Sequence, residues 1–191
     1  MIYKAIEKNL DLAVKCILNG EIIIYSTDTV YGFGVDATNK KAINKLNKLK
    51  GRIAPLSIIV SSEQMINKYI DTNYLFSKKV NNCLPVPFTF LLENFNNILP
   101  VEIGLKTGKI GIRIPNTPFV IKLVEKLKRP IVTTSVNIHN EDSLNDISSI
   151  SKQFGEINIF SDYINNNSVG STIVDITCFP YKIIRKGDGQ F

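Results

Sequence analysis

Short β-branched runs alternate along this chain with segments of helical period, and most runs break into small polar or cationic residues where they end. The run Ile22-Ile23-Ile24-Tyr25, inside a predicted strand over 21–25, has no polar face. Runs of that kind read as strands buried on both sides. Segments 56–60, 88–92, 110–114 and 130–134 repeat the pattern, as do shorter stretches near 157–160, 172–176 and 181–185. Between them, Ala5, Ile6, Leu10, Ala13, Val14 and Ile17 predict a helix over 3–19, with Gly20 where a C-cap falls. Ala42, Ile43, Leu46 and Leu49 predict an amphipathic helix over 39–50 with a lysine-rich outer face. Further helices are expected over 62–70, capped by Ser61 or Ser62, from Thr117-Pro118 to about 128, and near 147–154. The alternation is irregular and the GxGxxG and GxxxxGK[ST] fingerprints are both absent. The expectation is an α/β protein with a twisted, open, mixed sheet rather than a doubly wound Rossmann fold. At 191 residues the whole chain, 1–191, is the size of one domain.

The composition excludes several classes. Cys16, Cys83 and Cys178 are odd in number and far apart, and His139 is the one histidine, so neither a disulfide framework nor a zinc site is expected. No apolar run reaches the roughly 20 residues of a membrane span, and the N-terminus lacks a signal-peptide core. A cytoplasmic protein with free thiols, outside any membrane, is expected. The net charge of +6 favours an anionic partner.

The polar outliers gather at strand ends. Thr27, Asp28, Thr29 and Tyr31 crowd the loop after the first predicted strand, among glycines that let a ligand approach the backbone. The same loop could be a hydroxyl-rich turn in which Asp28 caps backbone amides. Lys50 and Arg52, spaced i, i+2 at a helix end, could meet a phosphate or carboxylate, or could complement the helix macrodipole. Arg113 lies in the otherwise apolar stretch Gly111-Ile112-Arg113-Ile114-Pro115 and needs a partner, either an internal carboxylate or a ligand anion. Ser135 and Asn137 leave another strand end, where a turn with local side-chain bonding is the plainer reading. Ser171 and Arg185 repeat the theme, whereas His139, Lys40-Lys41, Lys78-Lys79 and Lys126–Arg129 read as solvated surface.

These elements occur in an order that resembles the YrdC family, the threonylcarbamoyl-AMP synthases of tRNA modification. Ser26-Thr27-Asp28-Thr29-Val30-Tyr31-Gly32 resembles the family's PTDTVYG loop, and Lys50-Gly51-Arg52 its KxR element. Leu84-Pro85-Val86-Pro87-Phe88-Thr89 resembles its WPGPLT segment, and Thr134-Ser135-Val136-Asn137 its SxN element. The arginine strand, Gly170-Ser171-Thr172-Ile173-Val174-Asp175 and Arg185-Lys186-Gly187-Asp188-Gly189 complete the set. The chain departs from the family at Ser26 for proline, in a shorter 52–56 loop, at Ala54, and at Ile59 where many members carry histidine.

The resemblance implies a short single-domain form with a basic concave cavity, in which ATP, L-threonine and bicarbonate give threonylcarbamoyl-AMP and pyrophosphate. It implies catalytic roles for Lys50 and Arg52, and ATP contacts for these two with Ser135, Asn137 and Arg185. It places Thr27, Tyr31, Arg113 and Ser171 around the threonine, with Mg²⁺ accompanying ATP. The residue types agree, because substitution at a phosphate needs cations and hydroxyls for positioning and charge neutralisation. A downstream transferase complex would use the adenylate, and tRNA or double-stranded RNA is a further expected partner. Two alternatives stay open: a non-enzymatic RNA-binding module, and a nucleotide-binding paralogue without synthase activity.

Overall fold

The computed structural model describes residues 1–51, 55–69, 87–93, 98–104, 107–138 and 141–190. Arg52, Ala54, Cys83, Leu84-Pro85-Val86 and His139 lie outside the described residues. Ten strands form one sheet: β1 (Ile2–Lys4), β2 (Ile23–Tyr25), β3 (Gly32–Asp36), β4 (Ser57–Ile59), β5 (Phe88–Glu93), β6 (Lys109–Arg113), β7 (Ile131–Ser135), β8 (Asn158–Ser161), β9 (Thr172–Asp175) and β10 (Lys182–Arg185). Their spatial order is β1-β8-β2-β3-β7-β4-β6-β5-β9-β10. Parallel pairs (β1–β8, β2–β8, β4–β6, β5–β9) mix with antiparallel ones such as β3–β7 and β4–β7. The expected mixed α/β sheet is present.

The helices are α1 (Leu10–Leu18), α2 (Lys40–Lys50), α3 (Glu63–Tyr69), α4 (Val101–Gly104), α5 (Pro118–Leu127) and α6 (Ile147–Phe154). Asn39 caps α2 by accepting from the Ala42 amide at 3.2 Å, and Asp146 caps α6 by accepting from the Ser149 amide at 2.8 Å. Ser62, not Ser61, accepts the Met65 amide at the start of α3. The predicted helix over 3–19 starts later: Ile2–Lys4 pairs with β8, a 3₁₀ turn covers Glu7–Asn9, and only then does α1 begin. Gly20 follows α1 with φ +73 and donates to the Ile17 carbonyl, as a left-handed helix terminator does.

The strand β3 was hidden in the sequence by Gly32 and Gly34. Gly34 is needed because Tyr25 on β2 packs against it: a Cβ there would come within 2.5 Å of the Tyr25 ring, while one on Gly32 would crowd the Thr133 hydroxyl at 3.3 Å. Strand register explains where the cleft forms. Ile24, Phe33, Val35, Ile58, Ile112 and Val132 occupy one face, covered by α2 and α6 through residues such as Ile43, Leu46, Ile150 and Phe154. On the opposite face, Ile23, Tyr25, Ile59 and Ile131 pack under α1 and α5. That same face continues into Gly32, Ser135, Thr133, Ser57, Arg113 and Thr89, which no apolar layer covers. One sheet face thus changes from apolar to polar along its strands, and the polar half is the floor of a cleft.

Candidate functional site

The cleft has a volume of about 500 Å³, and its walls come from segments far apart in sequence. The loop between β2 and β3 contributes Thr27, Val30 and Tyr31; the segment after β7 contributes Asp142, Ser143 and Asn145; the loop before β9 contributes Ser168 to Ser171; and β10 contributes Arg185. Six residues singled out from sequence therefore meet in one place: Thr27, Tyr31, Arg113, Ser135, Ser171 and Arg185.

Each is held by a defined partner. The Thr27 hydroxyl donates to the Val30 carbonyl at 2.7 Å and accepts from the Thr29 amide at 3.1 Å, which fixes a tight turn at the cleft rim. Tyr31 shares a hydrogen bond of 2.8 Å with Ser161 at the end of β8, and burial pushes its phenol above the ordinary value. Ser171 shares one of 2.8 Å with Thr89 on β5. Arg185 donates from Nε and Nη2 to the Ser171 carbonyl, at 3.2 and 2.7 Å. Burial and then repulsion from Arg113 draw Arg185 below its usual value, with Asp188 opposing.

Arg113, 5% exposed, ends β6. Its partner is internal: Nη2 donates to Asp28 Oδ1 at 2.5 Å. Burial draws the guanidinium below its ordinary value and Asp28 opposes this. Asp28 is thus a counter-ion across 85 positions of sequence rather than a cap on local amides.

Lys50 is placed differently from a residue on the cleft wall. It is 1% exposed at the last position of α2. Its ammonium donates to the Ser135 carbonyl at 2.7 Å, the Asn137 carbonyl at 2.9 Å and Asn137 Oδ1 at 2.6 Å, and lies 5.4 Å from the Phe33 ring centroid. Asn137 Oδ1 also accepts from the Ser135 hydroxyl at 2.9 Å. Lys50 and the Ser135–Asn137 turn are one unit, of which Ser135 faces the cleft.

Thr133, in the polar strand end Thr133-Thr134-Ser135, also lines the cleft, whereas sequence reasoning passed over Ser143, Asn145 and Ser168 on the same wall. Asn145 Nδ2 reaches the Ser168 carbonyl at 3.3 Å and ties two walls together. Their only signal was membership of polar stretches. The C-terminal segment behaves as a strap over the loop before β9. The Asp188 amide donates to the Gly170 carbonyl at 2.8 Å, its carboxylate takes the Ser168 hydroxyl, and Thr172 Oγ1 donates to the Gly189 carbonyl at 2.7 Å. Among the described residues there is no cluster of three or more metal-ligating side chains, and no helix long and apolar enough to cross a membrane.

A mixed α/β sheet with a cleft of hydroxyls and arginines on one uncovered face defines the structural class. The family model described as telomere recombination (Sua5, YciO, YrdC) matches residues 15–187, so the chain belongs to the Sua5/YciO/YrdC family. A Methanocaldococcus jannaschii protein, assigned provisionally as a threonylcarbamoyl-AMP synthase, is 37% identical over 149 residues, covering 77% of this chain and 69% of that one. The Photobacterium profundum threonylcarbamoyl-AMP synthase is 31% identical over 153 residues, covering 78% of this chain and 82% of its own. The structure of Pyrococcus abyssi Sua5 complexed with L-threonine superposes with a TM-score of 0.85 at 25% identity; the match covers 98% of this chain but 56% of that one. Escherichia coli YciO shares the fold, with a TM-score of 0.86 at 21% identity over 96% of this chain and 91% of its own.

Proposed function

We propose that this chain is a threonylcarbamoyl-AMP synthase, a nucleotidyltransferase that converts L-threonine, bicarbonate and ATP into threonylcarbamoyl-AMP, pyrophosphate and water. The observation that carries the reading is the meeting of Thr27, Tyr31, Arg113, Ser135, Ser171 and Arg185 in one cleft. The synthase names of the family relatives support it over a non-enzymatic RNA-binding module. Its product would feed tRNA modification in the cytoplasm through a downstream transferase, with tRNA as the final acceptor.

The chemistry asked of the protein is positioning and charge neutralisation. Threonine lies at the end of the cleft bounded by Thr27, Tyr31, Arg113 and Ser171, with its carboxylate on the Arg113 guanidinium. The nucleotide takes Ser135 and Arg185, with Lys50 and Asn137 shaping the turn that presents Ser135; Arg52, two positions after Lys50 in the sequence, is a further phosphate contact of the same reading. The nitrogen of threonine bonds to the bicarbonate carbon with loss of water. A carboxylate oxygen of the resulting carbamate then attacks the α-phosphorus, and pyrophosphate leaves. Asp142, the one carboxylate among the described lining residues, suits a Mg²⁺ held mainly by ATP phosphates. Bound there, Mg²⁺ would neutralise phosphate charge.

Pyrophosphate release measured with ATP, threonine and bicarbonate, each omitted in turn, tests the reading. Release is expected only with all three. Release without threonine, or none with the full set, would reject it.

A further inference from the structure

The Arg113–Asp28 pair is closed on one side only. A buried arginine paired for stability alone commonly meets a carboxylate through two parallel bonds, so that both oxygens and two N–H groups are used. Here a single bond joins Nη2 to Oδ1 at 2.5 Å. Arg113 Nε and Asp28 Oδ2 are both buried, and neither has a hydrogen-bond partner among the described residues. The arginine lines the cleft; its carboxylate partner, from the loop between β2 and β3, is not among the lining residues. An unsatisfied buried N–H on a charged group is costly, and it persists where something else is meant to take it.

We propose that Asp28 is the positioning residue of the amino-acid subsite. It holds Arg113 by one N–H and so leaves Nε uncommitted on a cleft-lining guanidinium that can turn to the substrate's α-carboxylate. Its negative charge also balances the arginine while the cleft is empty. Asp28 itself does not touch the substrate; it acts through Arg113. The role rests on threonine being the amino acid taken at this end of the cleft.

Equilibrium dialysis of L-threonine, alongside steady-state pyrophosphate release, on the native chain, Asp28→Asn and Asp28→Glu tests this role. Asp28→Asn keeps the shape and loses the charge-assisted bond. It should weaken threonine binding about tenfold or more and raise the threonine KM in step, while the ATP KM and kcat at saturating threonine change less than about threefold. Asp28→Glu restores the charge and should recover part of that threonine affinity. Parallel losses for threonine and ATP without recovery in Asp28→Glu would mark Asp28 as structural and overturn the proposal. Unchanged threonine affinity in Asp28→Asn, or no threonine binding by the native chain, would overturn it as well. Should Asp28→Asn not fold, Asp28→Glu decides against the native chain: threonine-selective weakening supports the role and parallel weakening rejects it. Dialysis needs no turnover. Asp28-dependent threonine binding without pyrophosphate release would sink the synthase reading and leave this one standing.

Discussion

The ammonium of Lys50 lies 2.6 Å from Oδ1 of Asn137, and the same amide oxygen accepts the Ser135 hydroxyl. The last residue of α2 therefore sets the shape of the turn that leaves β7. A helix-end lysine that only complemented the macrodipole would stay in water. This one is buried against two carbonyls and an amide, and it links the KxR and SxN elements through bonds rather than through a shared ligand alone.

Lys50→Met is expected to cost stability as well as activity. It leaves the Ser135 and Asn137 carbonyls and the Asn137 amide oxygen without their donor. A loss of about 3 kcal/mol is expected, with a fall in Tm of roughly 6–12 °C. Thermal unfolding by circular dichroism reads the first effect, and pyrophosphate release below the native Tm reads the second. An unchanged Tm would show that the turn does not depend on the ammonium.

Gly187→Ala tests the C-terminal strap. An added Cβ would lie 2.2 Å from the Gly170 carbonyl oxygen and 2.5 Å from the Ser171 carbonyl carbon, both backbone atoms that cannot swing aside. The strap must lift or the loop must shift, at about 1–3 kcal/mol. Because Arg185 is anchored on Ser171, ATP affinity should fall with it, and calorimetric titration of ATP would show this. Native ATP affinity in the variant would separate the strap from the nucleotide end.

Stability should depend on Asp175 in acid. Burial raises this carboxyl, but Lys109 at 2.7 Å and the Thr177 hydroxyl and amide outweigh it and hold it below the usual aspartate value. A depressed carboxyl contributes stability above its unfolded value, near 3.8, and loses it as the pH falls through the lower folded value. Asp175→Asn should therefore be destabilised near pH 7 by about 1–3 kcal/mol. The gap to the native chain should narrow below about pH 4. Urea unfolding at several pH values measures both; a gap independent of pH would assign the loss to packing.

ATP should stabilise the native chain by mass action. At a hundredfold excess over Kd the gain is about 2.7 kcal/mol, a rise in Tm of roughly 5–10 °C. Threonine added with ATP should raise Tm further in the native chain and add little in Arg113→Lys, whose point charge lacks the planar fork. Scanning fluorimetry with an external dye reads the series. Equal threonine increments in both chains would remove Arg113 from the amino-acid end.

Periodicity alone disclosed most of the elements. The helix α2 falls where apolar spacing puts it, α5 where Thr117-Pro118 opens a helix, and α6 and the strands β4, β6 and β7 at the expected positions, because a buried stripe, a cap or a doubly buried run leaves a local trace. It failed at β1, whose three residues are recruited by pairing with β8, and at β3, where glycine marks close packing against Tyr25 rather than a loop. The candidate residues were recognisable as polar groups in apolar surroundings. Their partners were not, since Asp28 and Arg113 are 85 residues apart and no local rule joins them.

The sequence by itself determined the mixed α/β class, the family and the set of side chains that gather at strand ends. Only the tertiary structure decided which of them line the cleft and which hold it open. Lys50 faces inward onto carbonyls while Ser135 faces the cleft, and Asp28 holds Arg113 without lining the cleft itself. The physical reason is register. Side chains alternate across a strand, so the pairing of β3, β7, β4, β6 and β5 selects which polar residues share one uncovered face.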